Sequence, residues 1–197
     1  MSRPVLIGLT GLLGLLALGL AACQPPSGRE SDAPPLQTVE NVEIERYLGR
    51  WFEIARYDHR FERGCAGVTA DYALRDDGLI AVTNTCYQDG LDGNARTASG
   101  RARIADATTN AQLKVSFFGP FWGDYWIIDL ADDYGWAIVS EPGGRYLWIL
   151  SRTPQMDEDT LARRLDWLEA QGFDTSRLIR VEQWESAGAA PDAGQAR

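Results

Sequence analysis

One histidine, His59, and one lysine, Lys114, are all that this 197-residue chain holds of those two types, and cysteine occurs three times. Their scarcity excludes much chemistry. A Ser-His-Asp or Cys-His pair would have to be built on His59, and nothing sets a serine or cysteine beside it. Paired-cysteine zinc spacings, metal-binding histidine pairs and phosphate-cradling glycine loops are missing. Basic runs are missing too: the cationic residues are almost all scattered arginines, and the formal net charge is −9. Such a chain is a poor partner for nucleic acid and for electrostatic docking on anionic headgroups. Two carboxylate clusters stand out. Asp132-Asp133 reads as a turn and Asp157-Glu158-Asp159 as a helix start. No internal repeat or low-complexity block divides the sequence, and its length fits one domain.

A long apolar run is present only at the start. Arg3 precedes a stretch from Val5 to Ala22, broken by Thr10 and four glycines, that ends in Leu20-Ala21-Ala22-Cys23. Small residues before a cysteine resemble the bacterial lipobox. The resemblance implies that residues 1–22 are a lipoprotein signal peptide and that Cys23 carries the lipid, with acyl chains such as palmitate. An uncleaved anchor with a buried cysteine is the alternative, and it exports the rest of the chain equally. Gln24 stands where an inner-membrane retention signal would have Asp. The expected location is therefore the outer membrane, lipid-anchored, with the folded domain facing the periplasm. Residues 23–38 are rich in Pro, Ser and Gly and read as a flexible tether. Residues 186–197, rich in Ala, Gly and Pro, read as a disordered tail.

The folded region is expected over residues 39–185. Extended, alternating segments occur at residues 50–58, 68–74, 79–85, 96–105, 111–118, 125–130, 136–140 and 146–151, separated by turn signals such as Asp77-Gly78 and Pro142-Gly143-Gly144. Eight short strands with hairpin-length links predict an all-β fold: an eight-stranded antiparallel up-and-down β-barrel. Closure leaves no free edge, and a barrel of this size can hold one small ligand. One C-terminal α-helix follows, with Asp157 as N-cap, Leu161, Leu165 and Leu168 on one face, and Gly172 as stop. Its apolar stripe is expected to pack on the barrel wall. A last strand over residues 178–184 is expected beside the first.

Gly49-Arg50-Trp51 heads the first strand, Arg152 ends the eighth, and Asp58-His59-Arg60-Phe61-Glu62-Arg63-Gly64 fills the first loop. This constellation resembles the lipocalins, and the loop resembles the bacterial outer-membrane, apolipoprotein D-like members. The resemblance covers roughly residues 39–183. It implies a structural role for Gly49, Trp51 and Arg152, with the arginine stacked on the indole at the closed end. Alternation from that anchor turns Tyr146, Trp148 and Leu150 inward. Similarity to the family's strand register turns Ala70, Tyr72, Val82, Asn84, Val115, Phe117, Tyr125 and Ile127 inward as well. These residues are the expected ligand-binding set.

The implied function is binding of a fatty acid, phospholipid or lysophospholipid for storage, transport or outer-membrane maintenance, with no cofactor, no metal and no catalysis. Two rivals remain open. A lipid-modifying enzyme of the same fold would need an unpaired Cys65 or Cys86, or a working carboxylate such as Glu53. An interaction module would dock through the rim loops carrying His59, Arg60, Phe61, Glu62, Phe121 and Trp122, and a homodimer is one version of that. Glu53 is expected to point inward, where it must be protonated, paired or hydrogen-bonded; an interior network is the preferred reading.

With Cys23 taken by lipid, Cys65 and Cys86 remain in an exported chain, where thiols are oxidised. They flank the hairpin of the second and third strands and fall nearly opposite each other. A disulfide between them is expected, closing a loop of about twenty residues.

Overall fold

Short alternating segments punctuated by turns give nine strands and two helices in the computed structural model, which describes residues 28–191. In order they are α1 (Ile44–Tyr47), β1 (Gly49–Tyr57), β2 (Cys65–Leu74), β3 (Ile80–Gln88), β4 (Ala95–Ile104), β5 (Gln112–Ser116), β6 (Gly123–Leu130), β7 (Trp136–Ser140), β8 (Leu147–Ser151), α2 (Glu158–Ala170) and β9 (Leu178–Arg180). Each of β2 to β8 pairs antiparallel with its sequence neighbour. β1 pairs both β8 and β2, which closes an eight-stranded up-and-down barrel. Connections therefore alternate ends. The β1–β2, β3–β4, β5–β6 and β7–β8 loops share the open end, the mouth.

The closed end is sealed from the sequence upward. Leu48 leaves the single turn of α1, and Gly49 takes φ +91° to swing the chain into β1. Trp51 is completely buried, and its indole N–H donates to the Tyr47 carbonyl at 2.8 Å. Val42, Ala111, Leu113, Ile127 and Ala137 pack into the same interior cluster. The Tyr134 hydroxyl, from the Asp132-Asp133 turn, accepts the Glu43 amide at 2.8 Å.

Helix α2 starts as expected: the Asp157 carboxylate accepts the Thr160 amide. Leu161 and Leu168 bury against Ile54, Ile138, Leu147 and Ile149 on the outer wall, each worth about 1.5–3 kcal/mol. Leu165 packs there only in part.

The first strand departs from simple barrel pairing. β1 pairs β2 only from Gly49 to Phe52, then pairs β9 from Ala55 to Tyr57. The chain after β9 fills the resulting split near the mouth. There the Gln183 amide donates to Glu53 O at 2.9 Å and to Val68 O at 2.8 Å, while Trp184 lies over Gly67. The last strand is thus three residues long, shorter than expected, because residues 181–184 bridge two strands instead of pairing with one.

The expected flexible tether needs correction over its described part. Gly28 is buried, Arg29 bridges to Phe173, and Leu36 lies in the cluster beneath α2. The signal peptide and Cys23 lie outside the described residues, as do residues 192–197 of the expected tail. Within the described tail, residues 187–189 form one 3-10 turn.

Candidate functional site

The mouth half of the barrel is not filled by its own side chains. A cavity of about 90 Å³, open to solvent at the mouth, is lined from β1, β2, β3, β5, β6, β7 and β8. Its wall includes Ala70, Tyr72, Val82, Asn84, Val115, Phe117, Tyr125 and Trp148, together with Val68, Thr69, Val139 and Leu150. Register explains why they converge. Ala70 faces Asn84, Tyr72 faces Val82, and Val82 in turn faces Gly100, so alternate residues along β2, β3 and β4 share the inner face. Gly100 leaves room for Phe117; a Cβ there would sit 2.7 Å from the Phe117 ring. A glycine inside a strand pattern was the one sequence signal for that close approach.

Two residues of the expected ligand set lie elsewhere. Ile127 points inward but is fully buried in the closed-end cluster, below the cavity. Tyr146 sits above it at the mouth, stacked on Trp148 with ring centroids 5.8 Å apart. The His59 ring meets both edge-on, at 5.7 and 5.3 Å.

Polar groups are few and grouped. The Tyr125 hydroxyl lies 2.8 Å from that of Tyr47 and 3.0 Å from that of Tyr72, a three-hydroxyl chain at the cavity floor. Burial pushes Tyr72 up to about 12, so these hydroxyls stay protonated and one hydrogen of the chain is left to donate. Asn84 Oδ1 is buried beside the cavity without a protein hydrogen-bond partner.

The second polar group sits at the split between β1 and β2. The Arg56 guanidinium, 2% exposed, donates to Glu53 Oε1 at 3.1 Å and to Glu62 O at 2.7 Å. Its Nε lies 3.4 Å from Glu62 Oε2, which is also 3.3 Å from His59 Nε2. Burial, then the neighbouring Glu62 charge, raises the Glu53 carboxyl well above its ordinary range against the pull of Arg56. Burial also acts on Glu62, but His59, a hydrogen bond from Glu53 and Arg56 outweigh it and hold Glu62 low. The two carboxyls thus shift apart, Glu53 upward and Glu62 downward, around the one buried arginine. Glu53 is thus part of an interior network, as preferred from sequence. Its arginine partner is Arg56, whose inward position the sequence did not show.

The mouth itself is aromatic. Phe61 is 55% exposed, Phe118 72% and Phe121 76%. β5 ends at Ser116, opposite Arg101, so β4 stands above its neighbour and residues 96–99 are exposed on both faces. This lowers the wall beside the β5–β6 loop. Cys65 and Cys86 are joined, with Cα atoms 5.3 Å apart, at the mouth end of the β2–β3 hairpin.

Comparison with known proteins agrees with this geometry. Residues 42–183 match the family model described as a lipocalin-like domain. The outer membrane lipoprotein Blc of Escherichia coli (strain K12) is 45% identical over 179 residues, covering 87% of this chain and 97% of that protein. The protein of the same name from Vibrio cholerae is 44% identical over 149 residues, 75% and 86% of the two chains. Mouse apolipoprotein D is 28% identical over 162 residues, 77% and 81% of the two chains. Among solved structures, insecticyanin from the tobacco hornworm Manduca sexta superposes with a TM-score of 0.64 at 20% identity, over 80% of this chain and 88% of that one.

Proposed function

The chain belongs to the lipocalin-like domain family, and on that premise we propose that it is a lipid-anchored outer-membrane protein that binds one hydrophobic ligand in its barrel without transforming it. The observation that carries this reading is the cavity: apolar and aromatic on most of its wall, open at one end, with convergent polar groups at Tyr72, Tyr125, Asn84 and the Glu53–Glu62 pair. Ligands of the class are a fatty acid, a phospholipid or a lysophospholipid, held for storage, transport or envelope maintenance. The cavity volume of about 90 Å³ is small beside pockets that bury whole drug-sized ligands, roughly 300–1,000 Å³. A single acyl chain with its head at the mouth suits it better than a two-chain lipid, which would require the walls to part.

The anchor in this proposal is Cys23. Leu20-Ala21-Ala22-Cys23 supports it, and so does the 45% identity to an outer membrane lipoprotein. A catalytic reading has less to stand on. Cys65 and Cys86 are consumed in a disulfide, and Glu53 is held by Arg56.

Mass spectrometry of lipid that co-purifies with the protein from its own membranes tests the reading. One monoacyl lipid per chain is expected in addition to any lipid attached covalently. A protein that neither retains nor takes up any lipid would contradict it.

A further inference from the structure

We propose that the docked N-terminal segment holds the barrel mouth-down on the bilayer, so that the aromatic rim touches the membrane and the cavity opens toward it. The inference rests on the reading of Cys23 as the lipid-bearing residue and adds an orientation to it.

The segment is fixed at the mouth. Gly28 N donates to Gly144 O in the β7–β8 turn at 3.0 Å, and Gly28 O accepts from the Tyr57 hydroxyl at 2.8 Å and from Asp174 N at 2.9 Å. Only glycine fits here, because a Cβ would lie 2.0 Å from the Tyr57 ring. Downstream, the Arg29 side chain donates to Gln171 O at 2.8 and 3.0 Å, and Leu36 tucks beneath α2. The chain then reaches the closed end, where Val42 N donates to Thr109 O at 2.8 Å. The segment therefore runs from mouth to floor, and its first described residue, Gly28, lies at the mouth.

Chain length does the rest. Four residues lie between Cys23 and Gly28, and the five Cα steps across them span at most about 18 Å when fully extended. A nine-residue strand such as β1 is about 30 Å long. An acyl group on Cys23 can lie beside the mouth but cannot bring the closed end to the membrane while Gly28 stays docked.

The mouth is the face built for that contact. Phe61 projects from the β1–β2 loop, and Phe118 and Phe121 project from the β5–β6 loop on the opposite side of the ring. Arg60 lies 4.9 Å over Phe61, and Arg101 lies 5.4 Å over Trp122. Aromatic rings with snorkelling arginines suit the headgroup level of a bilayer. Among the described residues, the closed end exposes no large aromatic side chain; it offers Leu74 and Ile104 near Asp76, Asp77, Asp132 and Asp133. The low wall at β5 opens beside Phe118, giving an acyl chain a route from the membrane into the cavity.

The test uses the full-length lipidated protein on vesicles of phosphatidylethanolamine and phosphatidylglycerol that carry a spin-labelled phospholipid. A polarity-sensitive fluorophore is attached to a cysteine at the mouth (Phe118→Cys, with Phe121→Cys as a second site) or at the closed end (Asp76→Cys). Severalfold stronger quenching at the mouth sites than at position 76 is expected. Equal quenching at both ends, or stronger quenching at position 76, overturns the orientation. Burial of the mouth label that rises with protein concentration and ignores the vesicles assigns the rim to a second copy of the chain and also overturns it. Intact mass measured on the same samples keeps the two claims apart, because a missing acyl mass on Cys23 refutes the anchor rather than the orientation.

Discussion

The guanidinium carbon of Arg152 lies 3.8 Å above the centre of the Trp51 ring, and its nitrogens donate to Arg50 O at 2.8 Å and Arg46 O at 2.6 Å. One side chain thus ties the start of β1, the end of β8 and the turn of α1 together at the closed end. Trp51→Ala should cost about 3–5 kcal/mol in denaturant unfolding, since it empties a fully buried indole site. Arg152→Lys keeps the charge but cannot stack and reach both carbonyls; a loss of about 1–2 kcal/mol is expected. Both variants, once folded, should bind ligand within about twofold of wild type, because the latch lies at the far end from the mouth.

The Glu53–Glu62 pair gives stability a pH dependence of known sign. Glu53 is protonated in the folded barrel at pH values where the unfolded chain has released that proton, so the folded state binds more protons. That contribution is complete below the unfolded carboxylate pKa and is lost as pH rises toward the raised folded value. The melting temperature of the wild type should therefore fall, as pH rises above the ordinary carboxylate range, more steeply than that of Glu53→Gln, which is neutral throughout. Parallel curves for the two proteins would refute the raised Glu53 carboxyl. Glu62 acts in the opposite direction: its lowered pKa gives stability that is lost in acid, as pH falls toward the folded value.

Removing Arg56 leaves both carboxyls buried without their cation. Arg56→Ala is expected to cost about 3–5 kcal/mol by equilibrium unfolding. Combining it with Glu53→Gln should recover part of that loss, and strict additivity would mean that the residues do not act together.

Cys65→Ser with Cys86→Ser should lower stability by about 3 kcal/mol, the chain-entropy value for a loop of this length. The bond sits at the mouth beside the β1–β2 loop, so hydrogen exchange should quicken first at residues 58–66. Uniform acceleration around the whole barrel would argue against a local rim staple.

Cys23→Ala should yield a protein without acyl mass that no longer fractionates with membranes. Retention of lipid and of membrane fractionation would show that the anchor lies elsewhere.

Strand faces were legible in the sequence because alternation has a period of two, and one anchor at Trp51 carries it around the short hairpins. Height was not. Ile127 and Tyr146 have the expected parity, yet one lies below the cavity and the other above it. Alternation gives a side, not a depth. The bulge between Glu53 and Ala55 was also invisible. Strict alternation sends Arg56 outward with Ile54, whereas the extra residue turns it inward onto Glu53 and Glu62. The docking of residues 28–36 escaped for a different reason. Composition marked them as flexible, but their partners, Gly144, Gln171 and Phe173, lie more than a hundred residues away. Such contacts are tertiary, and no local pattern encodes them.

The most direct test of the central claim is calorimetric titration of the barrel with a lysophospholipid, run on wild type and on Trp148→Arg. Trp148 lines the cavity, so an arginine there would place an unpaired charge against the acyl chain. One site of micromolar affinity, roughly −8 kcal/mol, is expected for wild type, with a loss of about tenfold or more in the folded variant. Unchanged affinity in a Trp148→Arg protein whose circular dichroism and melting match wild type would place the ligand outside the barrel and contradict the account.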